Sequence, residues 1–128
     1  AQSHDGDLLI GTYSNGLWRL HDGILQPELN EENGLPSNEV RAILPDDKGN
    51  LWLATHNGVF IITAAGDVTL LKAKASNSVT LSQNLIKTIF KDVNGSIWLG
   101  TGNSGINVWS KSNQNFINIK NNLPFSII

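Results

Sequence analysis

Apolar and polar residues alternate in short runs along this chain, and residues typical of turns separate the runs. Between positions 40 and 71 there are four apolar runs, at residues 40–45, 51–55, 59–63 and 68–71. Runs of about four to eight residues that are rich in branched and aromatic side chains, and that end at Gly, Pro, Asn or Asp, indicate β-strands. The dipeptide Asn57-Gly58 favours the tight turn of a β-hairpin. The pattern therefore predicts a four-stranded antiparallel meander.

This pattern occurs three times. A turn containing glycine is followed by an apolar strand ending in threonine in the segments Asp5–Thr12, Lys48–Thr55 and Asn94–Thr101. The spacing between equivalent glycines is 43 residues and then 46 residues. Four strands recurring with a period of about 40 to 45 residues form the unit of a β-propeller, whose blades pack radially around a channel. We predict an all-β fold built from β-propeller blades, each a four-stranded antiparallel meander.

The repeats divide the chain into about three blades of an incomplete propeller. The predicted boundaries are about 1–39 for repeat 1, 40–85 for repeat 2 and 86–122 for repeat 3, with the start of a further blade at 123–128. The first repeat begins without an inner strand of its own, and a propeller needs roughly four to eight blades. We therefore expect a fragment whose partners are the remaining propeller blades of the parent chain. The alternative is self-association, in which two copies complete a ring of about six blades.

Aromatic residues recur at equivalent positions of the repeats. Trp52 and Trp98 occupy the same place in the second strand of their repeats, and Leu9 occupies it in the first. Trp18 and Phe60 share a place in the third strand. Because a large flat ring buries about 150–250 Å², we expect these side chains to fill the wedges between neighbouring blades.

The motif Asp-x-x-Gly-x-x-Trp-x-Gly-Thr, preceded by Gly-Leu-Pro-Ser-Asn, resembles the two-component regulator propeller repeat of bacterial sensor proteins. The resemblance is best at Gly34–Asn38 with Asp46–Thr55, and at Asp92–Thr101. The first repeat departs from the motif, since Leu9 stands in place of the tryptophan. The resemblance implies a periplasmic location, in the extracytoplasmic part of a membrane-anchored histidine kinase or diguanylate cyclase. It also implies a non-catalytic role in ligand sensing, subunit contacts or both, with the output domain elsewhere in the parent protein.

Composition argues against several classes of partner. Charged residues make up 16% of the chain and the formal net charge is −2 at pH 7, so no positive field draws in nucleic acid. No apolar run approaches the roughly 20 residues that span a bilayer, and we expect no membrane insertion by this segment. The absence of Cys excludes disulfides and thiolate metal sites.

The sequence contains no recognisable catalytic or metal-binding motif. His4, His21 and His56 lie in separate turns, without a second ligand at a zinc-binding spacing. The acidic turns at 46–50 and 92–95 lack the spaced ligands of a calcium loop, and hairpin turns explain them better. We therefore expect no enzyme activity, no catalytic residues, no metal and no cofactor.

The predicted ligand-binding residues lie in the turns between the second and third strands, which in a propeller share a face with the links between blades. They are Tyr13, Asn15, His56, Asn57, Asn103 and Ser104, together with Arg41 of an inner strand. Amide and hydroxyl groups beside an aromatic ring suit sugar hydroxyls, so an oligosaccharide or another small ligand is the expected partner. The alternatives are that these Asn residues serve turn geometry alone and that Arg41 packs against acidic neighbours.

Two other functions are open at this point. A propeller enzyme of the lyase or glycosidase type would have His, Glu or Asp residues clustered around the channel, whereas the sequence offers them singly. A structural scaffold for protein contacts is the other possibility, and the sequence does not separate it from a sensor.

Overall fold

The structure, a computed structural model, describes residues 1–73, 81, 83–110 and 115–119, which form three antiparallel sheets. The first sheet contains β1 (Leu8–Gly11), β2 (Leu17–His21) and β3 (Ile24–Leu29). The second contains β4 (Val40–Pro45), β5 (Leu51–Thr55), β6 (Gly58–Ile62) and β7 (Val68–Leu71). The third contains β8 (Ile86–Lys91), β9 (Ile97–Thr101), β10 (Ile106–Ser110) and β11 (Asn115–Ile119). A short 3-10 helix, Glu31–Asn33, lies between β3 and β4.

Each sheet is a meander in which neighbouring strands are consecutive along the chain. This confirms the predicted all-β blades, and we call the sheets the first, second and third blade. Three strands of the second blade have the predicted bounds, while the third strand is shifted by one residue to Gly58–Ile62. The part of the chain that the structure describes contains no helix long and apolar enough to cross a membrane.

The sheet of the first blade has three strands, and the first residues of the chain lie beside β1. The backbone amide of Leu9 donates to the carbonyl oxygen of Ala1 at 2.7 Å, and the terminal ammonium of Ala1 donates to Leu9 at 2.9 Å. Gln2 forms an isolated antiparallel bridge with Leu8. The strand equivalent to β1 in the second blade is β5, which pairs with the inner strand β4. The first residues of the chain therefore lie where an inner strand lies in the second blade.

Two hydrophobic cores lie between the three blades. Because side chains alternate across a strand, β5 presents Leu53 to the first blade and Trp52 to the third. Leu53 and Phe60 pack with Leu9 and Leu17 of the first blade. The opposite side of the second blade packs against the third blade in a cluster that contains Trp52, Ala54, Val59, Ile61, Ile97 and Leu99. The alternation of apolar residues thus places one core on each side of the middle blade.

The aromatic rings confirm part of the predicted wedge packing. Trp52 is 4% exposed, and its ring meets that of Trp109 edge to face with centroids 5.9 Å apart. Trp109 packs in the same way on Phe116 at 4.9 Å. Leu9, which replaces the tryptophan in the first blade, is 2% exposed in the other core. Trp98 has the position equivalent to Trp52, but it lies on the side of the third blade that faces away from the second.

Candidate functional site

The turns between second and third strands and the links between blades lie on one side of the molecule. The amide of Gly16, in the turn of the first blade, donates to the carbonyl of Asn38 in the next link at 2.8 Å. The amide of Gly58 donates in the same way to Asn84 at 2.6 Å. These bonds confirm the predicted shared face. We call it the channel face, defined by the turns 12–16, 55–58 and 101–105 and the links 34–39 and 83–85.

A threonine shapes each turn of the channel face. The hydroxyls of Thr12, Thr55 and Thr101 donate to a glycine carbonyl across the turn at 2.7, 2.8 and 2.9 Å. Each hydroxyl also accepts a backbone N–H, from Asn15, Asn57 and Ser104 respectively. Local bonds of this kind replace the ladder hydrogen bonds that a turn interrupts. The predicted site residues Asn15, Asn57 and Ser104 therefore hold the turns through their backbone amides.

A bulge at the start of β4 positions Arg41. The register of β4 on β5 shifts between Val40 and Ala42, and the same shift occurs in the third blade between Ile86 and Thr88. The extra residue at a bulge is unpaired and its side chain is re-aimed. Arg41 and Lys87 are those extra residues, so they occupy equivalent positions in the second and third blades.

Four side chains meet at this bulge and form what we call the channel cluster: Tyr13, Glu39, Arg41 and His56. The guanidinium carbon of Arg41 lies 5.4 Å from the centroid of the Tyr13 ring, within the range of a cation–π contact. Arg41 also forms an ion pair with Glu39 through Nη2 and Oε1. The other carboxylate oxygen of Glu39 lies 3.0 Å from Nδ1 of His56. The structure therefore brings three predicted site residues together from two blades.

Glu39 is the centre of the channel cluster. Its side chain is 13% exposed, whereas that of His56 is 57% exposed and Tyr13 is 74% exposed. A carboxylate that is largely shielded from water is held by its charged and polar partners. Glu39 therefore fixes the positions of Arg41 and His56, while the phenol and imidazole remain accessible. Such a surface offers hydrogen-bond donors and acceptors beside an aromatic face, which suits a polar ligand with hydroxyl groups.

The other predicted residues take part in the framework of the channel face. The amide nitrogen of Asn57 donates to the Pro36 carbonyl at 3.4 Å, which ties the turn to the link before its blade. Asn103 makes two bonds with Gln83: its backbone N–H donates at 2.9 Å and its Oδ1 accepts at 2.7 Å. Asn103 and Ser104 belong to the turn of the third blade that corresponds to the turn of His56. These contacts support the turn-geometry interpretation for Asn57 and Asn103.

Sequence reasoning missed Glu39 and Gln83. Both lie in links, where residue type alone does not identify a contact. Glu39 is two positions from Arg41, just before the bulged start of β4, and the two side chains form an ion pair. The available signal was the position of Glu39, an acidic residue that directly follows the Gly-Leu-Pro-Ser-Asn segment and lies close to Arg41 of the inner strand.

A second polar cluster surrounds Arg19 of the first blade. Its guanidinium donates to Glu28 through Nε and Nη2, each at 3.1 Å, and to Asp7 at 2.8 Å. Nδ1 of His21 lies 2.6 Å from the other oxygen of Asp7. The hydrogen bonds from His21 and then Arg19 lower the pKa of Asp7 below its usual value. Among the described residues no three His, Asp or Glu side chains converge as metal ligands.

Comparison with known proteins gives one family and several related structures. Residues 34–57 and 80–103 match the model of the two-component regulator propeller family. The chain is similar to the extracellular domain of the hybrid two-component system BT3049 from B. thetaiotaomicron, at 30% sequence identity and a TM-score of 0.79. The match covers 98% of this chain and 17% of that chain. No curated protein matches the chain.

Two lyases share the fold at lower identity. The first is streptogramin B lyase, at 19% identity, a TM-score of 0.67 and coverage of 97% of this chain and 39% of that one. The second is virginiamycin B lyase from Staphylococcus aureus, at 21% identity and a TM-score of 0.66. This match covers 97% of this chain and 41% of that one. The chain therefore spans less than half the length of each of these three structures.

Proposed function

Since the chain contains two-component regulator propeller repeats, we propose that it is part of the sensor propeller of a bacterial signalling protein and binds a ligand on its channel face. The parent protein in this proposal is a histidine kinase or a diguanylate cyclase, whose output domain lies outside these residues. The similarity to an extracellular domain of a two-component system supports a sensor. The channel cluster supports the location of the ligand, because it is the place where three candidate residues meet.

The proposed ligand is an oligosaccharide. Tyr13 offers an exposed ring face, His56 an exposed imidazole and Arg41 a guanidinium that Glu39 holds in place. Sugar rings present apolar faces to aromatic side chains and hydroxyls to paired donors and acceptors. No covalent step is part of this proposal.

The proposed location is the periplasm, by similarity to extracellular domains. In intact cells the propeller should resist added protease until the outer membrane is permeabilised. Degradation only after lysis of the inner membrane would contradict the periplasmic location.

A propeller enzyme of the lyase or glycosidase type is the second candidate, and one observation favours it. The 3.0 Å contact between Glu39 and His56 pairs a shielded carboxylate with an exposed imidazole. A histidine oriented by a carboxylate is a common form of general base. The sensor is preferred because the lyases share the fold at 19% and 21% identity, whereas the regulator model matches two repeats directly.

The experiment that tests the proposal is a binding screen of the purified chain against neutral and acidic oligosaccharides. Thermal shift would identify binders, and calorimetry would give their affinity. We expect Tyr13→Ala and Arg41→Ala each to weaken binding about tenfold or more, which corresponds to about 1.4 kcal/mol. Lys48→Ala, in a turn at the opposite ends of the strands, is the control and should leave the affinity unchanged.

Product analysis separates the two candidates. Each oligosaccharide that binds is incubated with the chain and analysed by mass spectrometry. Intact sugar supports a sensor, whereas cleavage that is lost in His56→Ala supports the enzyme. Binding that is equal in all variants would show that the channel cluster is not the site.

A further inference from the structure

A cavity of about 510 Å³ lies between the second and third blades. Its volume falls within the range of roughly 300–1,000 Å³ that small-molecule sites have in proteins. We call it the junction cavity. Its apolar walls come from both blades and consist of Trp52, Ile61, Leu71, Ile97 and Trp109. A largely apolar cavity of this size is a candidate ligand site.

The junction between the first and second blades has a cavity at the equivalent place, of about 360 Å³. Arg19 lines that cavity in the position that Ile61 has in the junction cavity, since Arg19 pairs with Leu9 as Ile61 pairs with Trp52. Glu28 of the same blade binds the guanidinium of Arg19. The chain thus supplies its own partner for a charged group there. Repeat geometry therefore explains a space between blades, but it does not explain the apolar walls of the junction cavity.

Two tryptophan rings form the aromatic wall of the junction cavity. Trp109 is partly buried, and it meets Trp52 and Phe116 edge to face, with centroids 5.9 Å and 4.9 Å away. These contacts fix the orientation of the Trp109 ring. A ring that is already fixed loses little side-chain freedom when a ligand packs on it. The wall therefore suits a flat apolar molecule, because aromatic rings gain from offset and edge-to-face contacts.

The charged groups of the junction cavity are unequally matched. Asp46 accepts hydrogen bonds within its own turn, and Asp47 forms an ion pair with Lys91 across the junction. Lys48 also lines the cavity and is exposed. Its ammonium has no hydrogen-bond or ion-pair partner among the residues that the structure describes. The charge left unmatched is positive, so the complementary group on a ligand is an anion such as a carboxylate.

We propose that the junction cavity binds a small, flat aromatic molecule that carries one carboxylate, with its ring against Trp109 and its carboxylate at Lys48. The turn that holds Lys48 joins β4 to β5, whereas the channel cluster lies at the other end of β5. The site is therefore distinct from the proposed oligosaccharide site. Described residues of two neighbouring blades form its walls, so the proposal requires no further blade.

Calorimetric titration of the chain with cinnamate tests the site. Cinnamyl alcohol and cinnamylamine have the same flat ring system with no charge and with a positive charge. We expect cinnamate to bind about fivefold or more tightly than the alcohol, which corresponds to the upper contribution of an exposed ion pair. The amine should bind most weakly. Absence of cinnamate binding, or equal affinity for the three compounds, would overturn the proposal.

A substitution that fills the junction cavity tests the location. Thr69 lines the cavity from β7 and is exposed, so Thr69→Phe places a ring in the space without removing a buried group. We expect it to weaken cinnamate binding about tenfold or more. Val68→Phe is the matched control, because neighbouring side chains of a strand point to opposite sides and Val68 is 56% exposed. Unchanged affinity in Thr69→Phe, or an equal loss in both variants, would show that cinnamate binds elsewhere.

Lys48→Ala tests the carboxylate contact. The variant should bind cinnamate no more tightly than cinnamyl alcohol, while its affinity for the alcohol stays that of the unaltered chain. A loss of structure would weaken the binding of both compounds, and circular dichroism would detect it. Lys72→Ala removes an exposed lysine that does not line the cavity and should change neither affinity. Cinnamate binding that survives Lys48→Ala in full would refute the proposed contact.

Discussion

The indole nitrogen of Trp52 donates a hydrogen bond to the carboxylate of Asp46 at 3.0 Å. Trp98 and Asp92 repeat this bond at 2.9 Å in the third blade. In the first blade, Ser3 stands in place of the aspartate and Leu9 in place of the tryptophan. The aspartate and the tryptophan are thus present or absent together, as expected because a buried hydrogen-bonding group needs a partner.

The same carboxylate closes the turn between β4 and β5. Oδ1 of Asp46 accepts the backbone amides of Lys48 and Asn50, each at 2.9 Å, and Oδ2 also accepts from the Asn50 side chain. One carboxylate therefore links the turn conformation to the wedge tryptophan. This explains the acidic turns without a calcium ion.

Removal of the indole donor should destabilise the second blade. We expect Trp52→Phe to lower the free energy of unfolding by about 1.5–3 kcal/mol, because a hydrogen bond to a buried charged group is lost. Urea unfolding followed by fluorescence or circular dichroism measures the change. Trp98→Phe removes the equivalent bond at a half-buried position, where water can replace the donor, and should cost less. Equal losses in the two variants would show that burial does not set the contribution of this bond.

Acid should weaken the fold through Asp46. Burial alone raises the pKa of this carboxyl, but the hydrogen bonds from Trp52, Asn50 and Lys48 outweigh burial, and the pKa lies below the usual 3.8. A carboxyl whose pKa is lowered on folding contributes stability above its unfolded pKa, and this contribution is lost as the pH falls through the folded pKa. We therefore expect stability from Asp46 at pH 5 and above, and its progressive loss below about pH 4.

The variant Asp46→Asn isolates this contribution. Asparagine does not titrate, so the variant should be less stable at neutral pH and its stability should fall less between pH 5 and pH 2. Urea unfolding at several pH values gives both curves. A variant that follows the same acid dependence as the unaltered chain would exclude Asp46 as a source of it.

The blades were predictable from sequence because two local signals agree there. Alternation of apolar residues marks strands such as 40–45 and 51–55, and Gly-containing turns mark their ends. Because the meander occurs three times, the sequence also predicts that the blades pack against one another, since a single meander cannot bury both of its sides. The burial of Trp52 follows from this argument alone.

The channel cluster was predictable only in part. The shared face of Tyr13, Arg41 and His56 follows from propeller topology, but the contacts of Glu39 join a residue of a link to an inner strand and to a turn. The contact of Gln83 with Asn103 joins residues 20 positions apart. Such contacts depend on the side-chain directions in two separate segments, and neither segment carries a periodic pattern that reveals them.

The glycine of the tight turn between β5 and β6 should not tolerate a side chain. Gly58 has φ of +99°, and a Cβ there would lie 2.6 Å from the carbonyl oxygen of Leu71. Strained backbone of this kind costs about 1–3 kcal/mol, and the clash adds to it. Gly66→Ala is the matched control, because Gly66 has φ of +91° with no atom within 4 Å of the added Cβ. Thermal unfolding should show a larger decrease for Gly58→Ala, and equal decreases would mean that backbone strain alone matters.

Ion pairs of the same kind should differ in importance according to their surroundings. Asp47 is 74% exposed in its pair with Lys91, and exposed pairs contribute roughly 0–1 kcal/mol, so Lys91→Ala should change the melting temperature little.

Arg19 binds Glu28 through two nitrogens and also Asp7, whose side chain is 13% exposed. The hydrogen bonds to Glu28 and then Asp7 raise the pKa of Arg19, so its charge persists at every pH of interest. Because two carboxylates lose their partner together, Arg19→Ala should lower the melting temperature clearly more than Lys91→Ala. Thermal unfolding at low and high salt provides the test. The reverse order would show that the contact across the blade junction matters more than the network within the first blade.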